Sequence, residues 1–295
     1  GYGIQLSVNS VKLLNQIGFD KFKNDQKFNP DLINFYSIKS SNKICDLNIS
    51  DYNSANCKYT TLKRSELVKF LKKDLENVIK INHSISKIVQ QNQKIQLIFE
   101  NNETSECDHL IISDGVFSKS KSLILENQTP PRYNKTLAIR GTIPISQKIN
   151  CRNISLFLGP DFHYVIYPVN QNGDLNFIAI MKYKLNKEEQ KNHSLFNDGN
   201  FIKRVLNNVP REMREFLDEI KKLKIFPVFV SDSFSQTKNK NIHLIGDAFF
   251  AFPPSFAQGA SQSIESAYEL FLSIENKTEG NFLRNRVNKT RMVNN

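Results

Sequence analysis

The sequence predicts an α/β fold, and three observations predict it. Ile242-His243-Leu244-Ile245 is a short apolar run closed by Gly246-Asp247, as at the carboxyl end of a buried parallel strand, and a long helical pattern follows. Residues 107–113, CDHLIIS, form a second such run, and it also ends in an acidic turn, Asp114-Gly115. Elsewhere, strand-like runs such as 32–39 and 44–49 alternate with helical patterns. Open α/β sheets bind ligands beyond the carboxyl ends of their strands, so function is expected at the acidic turns.

Taken in order, Gly1 to Gln5 read as a loop entering a helix with Val11, Leu13, Leu14 and Ile17, stopped by Gly18. Residues 32–39 and 44–49 read as paired strands around a Ser-Asn turn. Thr60 to Leu67 lead into a helix whose buried face is Leu67, Leu71 and Leu75. Residues 78–81, 85–89 and 95–99 are strand-like, and Asn101-Asn102 is a hairpin-type turn. Residues 201–206 and 211–220 are helical, with Pro210 at a helix start. After the 242–245 strand comes an aromatic loop with Pro253-Pro254, then a helix. Its apolar residues Ala260, Ile264, Ala267, Phe271 and Ile274 are spaced four, three, four and three. Ser255 and Gln258 have capping-box spacing, with a start nearer Gly259 as the alternative. One loop thus brings a carboxylate, a rigid proline pair and a helix N-terminus together. Free N–H groups and partial positive charge at such a terminus suit a polar ligand that holds negative charge.

Gly246-Asp247-Ala248, Pro254 and Ala257-Gln258-Gly259-Ala260 resemble the second flavin-binding motif of the FAD-dependent aromatic hydroxylases. These are the class A flavoprotein monooxygenases, which include salicylate hydroxylase-like and ubiquinone-biosynthesis hydroxylase-like enzymes. The resemblance implies that Asp247 holds a ribityl hydroxyl of FAD and that the helix start at Gly259 and Ala260 faces the N1/C2=O edge of the flavin. Gly1 to Asn9, GYGIQLSVN, resemble the segment after the family's dinucleotide-binding βαβ unit, which puts Gln5 near flavin and substrate. Arg64 matches the Arg of an R-x-x-L helix that donates to the FAD phosphate or ribityl region, and a guanidinium fork suits phosphate oxygens. Asp114-Gly115, with Ser118 and Lys121, resembles a motif near the pyrophosphate and the NAD(P)H path. Lys121 stands where the family usually has Arg; it keeps the charge and loses the planar fork. Residues 137–141 are similar to a W-R-G strand without its Trp. Residues 159–168, with His163 and Tyr167, resemble a G-x-x-x-H…Y-P hairpin, 176–179 the next strand, and 282–287 the C-terminal helix. Phe249 and Phe250 replace the family's usual Ala and His near the flavin face.

The implied architecture is an FAD/NAD(P)-binding, Rossmann-like α/β fold of the aromatic-hydroxylase type with an interwoven β-rich substrate domain. Residues 1–124 would be part of the FAD-binding domain, carrying substrate-domain strands 32–49. Residues 125–230 would be the substrate domain, and 231–295 the remaining FAD-binding part. The family's G-x-G-x-x-G unit takes about 30 residues or more and is not in this sequence, so the expectation is an N-terminally truncated chain with that arm upstream. The implied activity is hydroxylation of a small aromatic acid or phenol with O₂ and NADH or NADPH, with no catalytic side chain assigned. Gln5, His163, Tyr167 and Phe250 would line the substrate pocket. Two alternatives stay open: a flavin-dependent reductase or dehydrogenase of the same fold, and an inactive flavin-binding homologue.

The 295 residues include 22 Phe and no Trp, and the formal net charge is +11. The basic residues are scattered, often beside Asn and Ser, with no basic block and no zinc spacing. Neither a nucleic-acid partner nor a metal is therefore expected. Cys45, Cys57, Cys107 and Cys151 form no C-x-x-C pair, which suits reduced thiols and a cytoplasmic place. No apolar run reaches the roughly 18 residues of a membrane span, and no signal peptide is evident. Peripheral membrane contact and oligomeric state stay open.

Overall fold

The structure is a computed structural model that describes residues 2–91, 94–126, 129–144, 151–217, 219–235, 237, 239–254 and 257–294. In chain order it begins β1 (Gly3–Leu6), α1 (Val8–Asn15), β2 (Lys27–Phe28), β3 (Leu32–Ser37), β4 (Lys43–Asn48), β5 (Thr60–Lys63) and α2 (Arg64–Lys72). Next come β6 (Ile85–Gln91), β7 (Lys94–Phe99), β8 (Thr104–Cys107), β9 (Leu110–Ile112) and the one-turn α3 (Lys119–Ser122). Then follow β10 (Arg132–Ile143), β11 (Ile154–Leu158), β12 (Phe162–Pro168), β13 (Leu175–Lys182), α4 (Lys187–Lys191), α5 (Gly199–Leu206), α6 (Arg211–Leu217) and β14 (Lys221–Val230). The chain closes with β15 (Ile242–Leu244), α7 (Gly246–Phe249), α8 (Gly259–Glu275) and α9 (Glu279–Asn294).

Two compact units result: Gly1–Lys73 with Tyr133–Val228, and Asp74–Arg132 with Phe229–Asn295. Residues 1–73 therefore group with 133–228 rather than with 74–124. Strand pairing is the cause. β3 pairs in parallel with β11, Ile33 opposite Ile154, and β4 extends the sheet beyond β3.

The first unit holds a seven-stranded sheet in the order β14-β10-β13-β12-β11-β3-β4, and a three-stranded sheet β1-β5-β2. Side chains alternate between faces along a strand, and directly opposed residues share a face. Ile139, Ala179 and Tyr164 stand in one row, and Gly141, Phe177 and Ile166 in another. Phe177 and Ala179 are 0% exposed, so this face is core. The other face carries Arg140 and Thr142 of β10, Asn176 and Ile178 of β13, and His163, Val165 and Tyr167 of β12.

The second unit holds the antiparallel β6-β7-β8 meander and a parallel pair, β9 with β15. Ile242 pairs with Leu110 and Leu244 with Ile112, so the two acidic turns follow neighbouring strands in register. Ile95, Leu110, Ile112, Ile242, Leu244, Ala248, Phe249 and Phe250 form its core.

Several expectations fail for identifiable reasons. The opening loop is strand β1, paired antiparallel with β5 from Gly3 opposite Lys63 to Leu6 opposite Thr60. No strand forms at 78–81; Val78 is 72% and Ile81 75% exposed, with no partner strand to cover them. On α2 only Leu67 is buried, because the helix ends at Lys72 before Leu75 can join the stripe. On α8 the buried side is Ser261, Gln262, Ser266 and Leu270, while Phe271 of the expected stripe is 56% exposed. Polar bonding sets that rotation: Gly246 N–H donates to Ser266 Oγ at 3.3 Å, and Gln262 Oε1 accepts from Arg286 at 2.9 Å. The capping-box reading involves Ser255, which lies outside the described residues; α8 begins at Gly259, and the Gln258 side chain makes no cap bond.

Candidate functional site

The acidic turn after β15 is built from a strand that stops in register. Ile245 N–H donates to Ile112 C=O at 3.1 Å, extending the β9–β15 pairing by one step. Gly246 then takes φ +56°, a left-handed value that glycine accepts without strain. A Cβ there would also sit 3.0 Å from Ser263 Oγ, so a larger residue would crowd the first turn of α8. The turn into α7 delivers Asp247. Its surface is open to solvent, and its carboxylate makes no hydrogen bond or ion pair among the described residues. Protein atoms still crowd the carboxyl, and the lost hydration raises its pKa above the usual 3.8.

Asp247 opens onto a cleft with about 220 Å³ of empty space, part of it continuous with solvent. Gly246, Phe250, Gly259, Gln262, Arg286 and Thr290 help to line it. Arg286, on α9, is 2% exposed. It donates to Glu269 Oε2 at 3.2 Å, to Gln262 Oε1 at 2.9 Å and to Gln262 C=O at 3.4 Å, while its Nε has no partner. Thr290, 0% exposed, has a hydroxyl without a partner. The sequence reading missed both. Their signal was the spacing Phe282, Arg286, Thr290, which puts two polar residues on one helix stripe with an aromatic core residue.

The second acidic turn is arranged differently. The Ser118 hydroxyl and the Ser120 N–H both donate to the Asp114 carboxylate, the latter at 3.1 Å. Burial works against ionisation of Asp114, but these bonds outweigh it and hold the pKa below the usual value. That carboxylate is therefore engaged within its own turn. Gly115, at φ +91° with open space around it, is the part of the motif that permits close approach. Lys121, 5% exposed, reaches across to Ala248 C=O at 3.3 Å and so ties the two acidic turns together. Burial lowers its pKa, and Asp114 pulls it back up.

Pro254, Gln258, Gly259 and Ala260 lie on the approach to α8 and in its first turn. Ala257 N–H donates to Pro254 C=O at 3.3 Å, Ala257 takes φ +53°, and among the described residues nothing beyond Gly259's own stretch of chain lies within 4 Å of a Cβ placed on it. Phe250 is 5% exposed and packs on Phe234 and Phe252, with ring centroids 5.1 Å away in each case.

The remaining candidates belong to the first unit. Arg64 begins α2; its N–H donates to Tyr2 C=O at 2.8 Å and its side chain is exposed. Gln5 Oε1 accepts from the Tyr59 hydroxyl at 2.8 Å, and Gln5 also bonds Tyr167. Burial pushes Tyr59 up to about 12 and raises Tyr167 further still. His163 shares a sheet face with Tyr167, and burial lowers its pKa. Gln5 and Tyr167 are thus bonded neighbours, His163 stands farther along the same face of β12, and Phe250 belongs to the other unit.

A carboxylate lacking a partner, two buried polar atoms lacking partners and an open glycine at a long helix start suit a ligand with hydroxyls and anionic groups. FAD has both, so these residues fit it. Among the described residues no cluster of His, Cys, Asp and Glu could hold a metal, and no helix is long and apolar enough to cross a membrane.

Comparison with known proteins gives this geometry its setting. The chain is 24% identical over 224 residues to the FAD-dependent monooxygenase pigN of Monascus ruber, covering 68% of the chain and 49% of that protein. It is also 24% identical over 225 residues to a salicylate hydroxylase of Pseudomonas putida, covering 66% and 49%. Its relatives are FAD-dependent monooxygenases. The chain spans about half the length of these curated relatives. Among solved structures, Klebsiella pneumoniae HpxO complexed with FAD and uric acid superposes with a TM-score of 0.79 at 16% identity, over 92% of this chain and 69% of HpxO. The fold is that of the FAD-binding aromatic hydroxylases. No protein-family model matches the chain. Within the aromatic-hydroxylase fold, β9 and β15 are the strands whose ends carry Asp114-Gly115 and Gly246-Asp247.

Proposed function

We propose that this chain carries the flavin- and substrate-binding core of an FAD-dependent monooxygenase that hydroxylates a small aromatic acid or phenol with NADH or NADPH and O₂. The observation that carries the reading is Asp247, an unpartnered carboxylate at the carboxyl end of a parallel strand, in a cleft with buried donors and a helix start. The relatives' names support the same chemistry. Bound FAD would supply the redox steps, taking hydride from the nicotinamide and delivering activated oxygen to the ring.

The chain's own residues would bind, orient and exclude water. Asp247 would accept a ribityl hydroxyl, and the free N–H groups at Gly259 and Ala260 would face developing negative charge. Gly115 would let backbone approach the pyrophosphate, and the exposed Arg64 would pair with phosphate oxygens. Tyr167 and His163 from one face of β12, and Gln5 from β1 with Tyr59 holding it in place, would offer hydrogen bonds to ring substituents. Phe250 would keep water from its side of the cleft. The four free cysteines suit a reducing cytoplasm.

The test is FAD binding, followed by NAD(P)H oxidation stimulated by aromatic acids and phenols, with the hydroxylated product quantified. Product in step with NAD(P)H consumed supports the hydroxylase. Consumption with peroxide and no product from any such compound would leave only a reductase. Absence of FAD binding by the full-length gene product at saturating FAD would remove the reading.

A further inference from the structure

Arg140 is a cation inside the first unit. It stands on β10, on the sheet face that also carries Asn176, His163 and Tyr167. Its guanidinium lies over the Tyr2 ring, 4.9 Å from the centroid, and donates to Gly3 C=O at 3.2 Å. Its Nε is buried with no partner. Among the described residues no carboxylate acts on it: the groups that do are the hydroxyls of Tyr167 and Tyr2 and the like charge of Arg64, while burial disfavours the charged form most. Asn176, 0% exposed, holds the other side of the same residue. Its Oδ1 accepts from Gly3 N–H at 2.5 Å, which aims Nδ2 elsewhere, and that nitrogen is also buried without a partner.

A desolvated cation lacking a counter-charge is expensive to keep, and so is a buried amide donor lacking an acceptor. Here both occur around one glycine, on the face that carries Tyr167. Such donors are unspent where an acceptor arrives from outside the chain. A carboxylate is the acceptor whose planar geometry a guanidinium fork matches.

We propose that Arg140, seconded by Asn176, recognises the carboxylate of the ligand bound by this unit, so that the substrate is an aromatic acid rather than a neutral phenol. The word substrate rests on the monooxygenase reading; the carboxylate site does not.

Equilibrium titration tests it on the wild-type protein, Arg140→Gln and Arg140→Lys, with Lys182→Gln as a surface-charge control. The probes are salicylate, its neutral analogue salicylamide, and inorganic phosphate, each with and without excess FAD. The wild type is expected to bind salicylate about ten- to a hundredfold more tightly than salicylamide, the worth of a charge-assisted bond. Arg140→Gln should lose that preference while still binding salicylamide, Arg140→Lys should keep part of it, and Lys182→Gln should keep all of it. Phosphate should not displace salicylate. Equal binding of salicylate and salicylamide by the wild type overturns the proposal, and so does binding of neither. A preference that survives in folded Arg140→Gln, or that Lys182→Gln also abolishes, overturns it too. Displacement of salicylate by phosphate would reassign the site to a cofactor phosphate. If Arg140→Gln does not fold, the wild-type preference and the Arg140→Lys result decide. FAD-dependent hydroxylation without the preference sinks this inference alone. An Arg140-dependent preference in a protein that never binds FAD sinks the monooxygenase reading alone.

Discussion

Asp247 carries two demands that pull against each other. Crowding raises its pKa, which costs the apoprotein some stability once it ionises, yet only the ionised carboxylate is a strong acceptor for a ribityl hydroxyl. We expect Asp247→Ala to fold and to bind FAD roughly ten- to a hundredfold more weakly, the loss of one charge-assisted hydrogen bond. Asp108→Ala, whose exposed carboxylate stands 3.9 Å from Lys94, serves as control and should leave FAD affinity unchanged. Fluorescence titration of apoprotein with FAD decides, and equal affinities for Asp247→Ala and wild type would leave Asp247 a turn residue. Asp247 was legible in the sequence because an apolar run closed by Gly-Asp is a local signal. Arg286, Thr290, Arg140 and Asn176 were not. Polar residues in an amphipathic pattern read as surface; the stripe shared with Phe282 hints that Arg286 and Thr290 are covered, and only tertiary packing shows Asn176 buried and Arg140 half-buried.

At the level of elements, β1 depends on a close approach. A Cβ on Gly3 would lie 2.6 Å from Asn176 Cβ and 2.8 Å from Val169 Cγ1. Gly3→Ala should therefore destabilise the chain by about 1–3 kcal/mol, the usual cost of overpacking, read as a lower urea midpoint. The β9–β15 pair carries a pH dependence. The rings of His109 and His243 stack with centroids 5.7 Å apart, and Phe282 meets His243 edge-on. Burial, then the charge of His109, holds His243 below the usual 6.5, while Glu279 pulls the other way. A base with a depressed folded pKa contributes stability above its unfolded value and loses it as pH falls through the folded value. The melting temperature should fall between pH 7.5 and pH 5, and less steeply in His243→Gln; parallel curves would show that His243 does not titrate in this window. Strands were legible where a partner strand covers the strand-like run, as at 32–37, and not at 78–81, where none does. The face of α8 was not, since Ser266 bonded to the Gly246 turn and Gln262 bonded to Arg286 outcompeted an apolar stripe in setting its rotation.

For the whole molecule, the two compact units give ligands more than one place to act. FAD that binds only the native state should stabilise it by about 2.7 kcal/mol at one hundred times its Kd, with a melting temperature that keeps rising with FAD concentration. A melting curve insensitive to FAD would contradict the cofactor assignment. The scattered charge contributes little by comparison. Pairs such as Lys182–Asp161, with side chains 67% and 68% exposed, are worth about 0–1 kcal/mol. The α/β class was readable from two acidic turns, whereas the grouping of residues 1–73 with 133–228 was not, because the parallel pairing of β3 with β11 joins segments far apart in sequence.

The interleaving of the units also limits how the protein can be recombined. The chain passes from one unit to the other at residues 73–74, 132–133 and 228–229. A cassette swap of 133–228 alone, the obvious way to transplant one homologue's specificity into another, would import β11 with β12 and without β3, its other neighbour. β3 and β4 would remain from the host, and the foreign sheet would have to accept their register. Chimeras should tolerate exchange only when 1–73 travels with 133–228. Diversification of such a chain is therefore expected to proceed by substitution within strands more readily than by shuffling of segments.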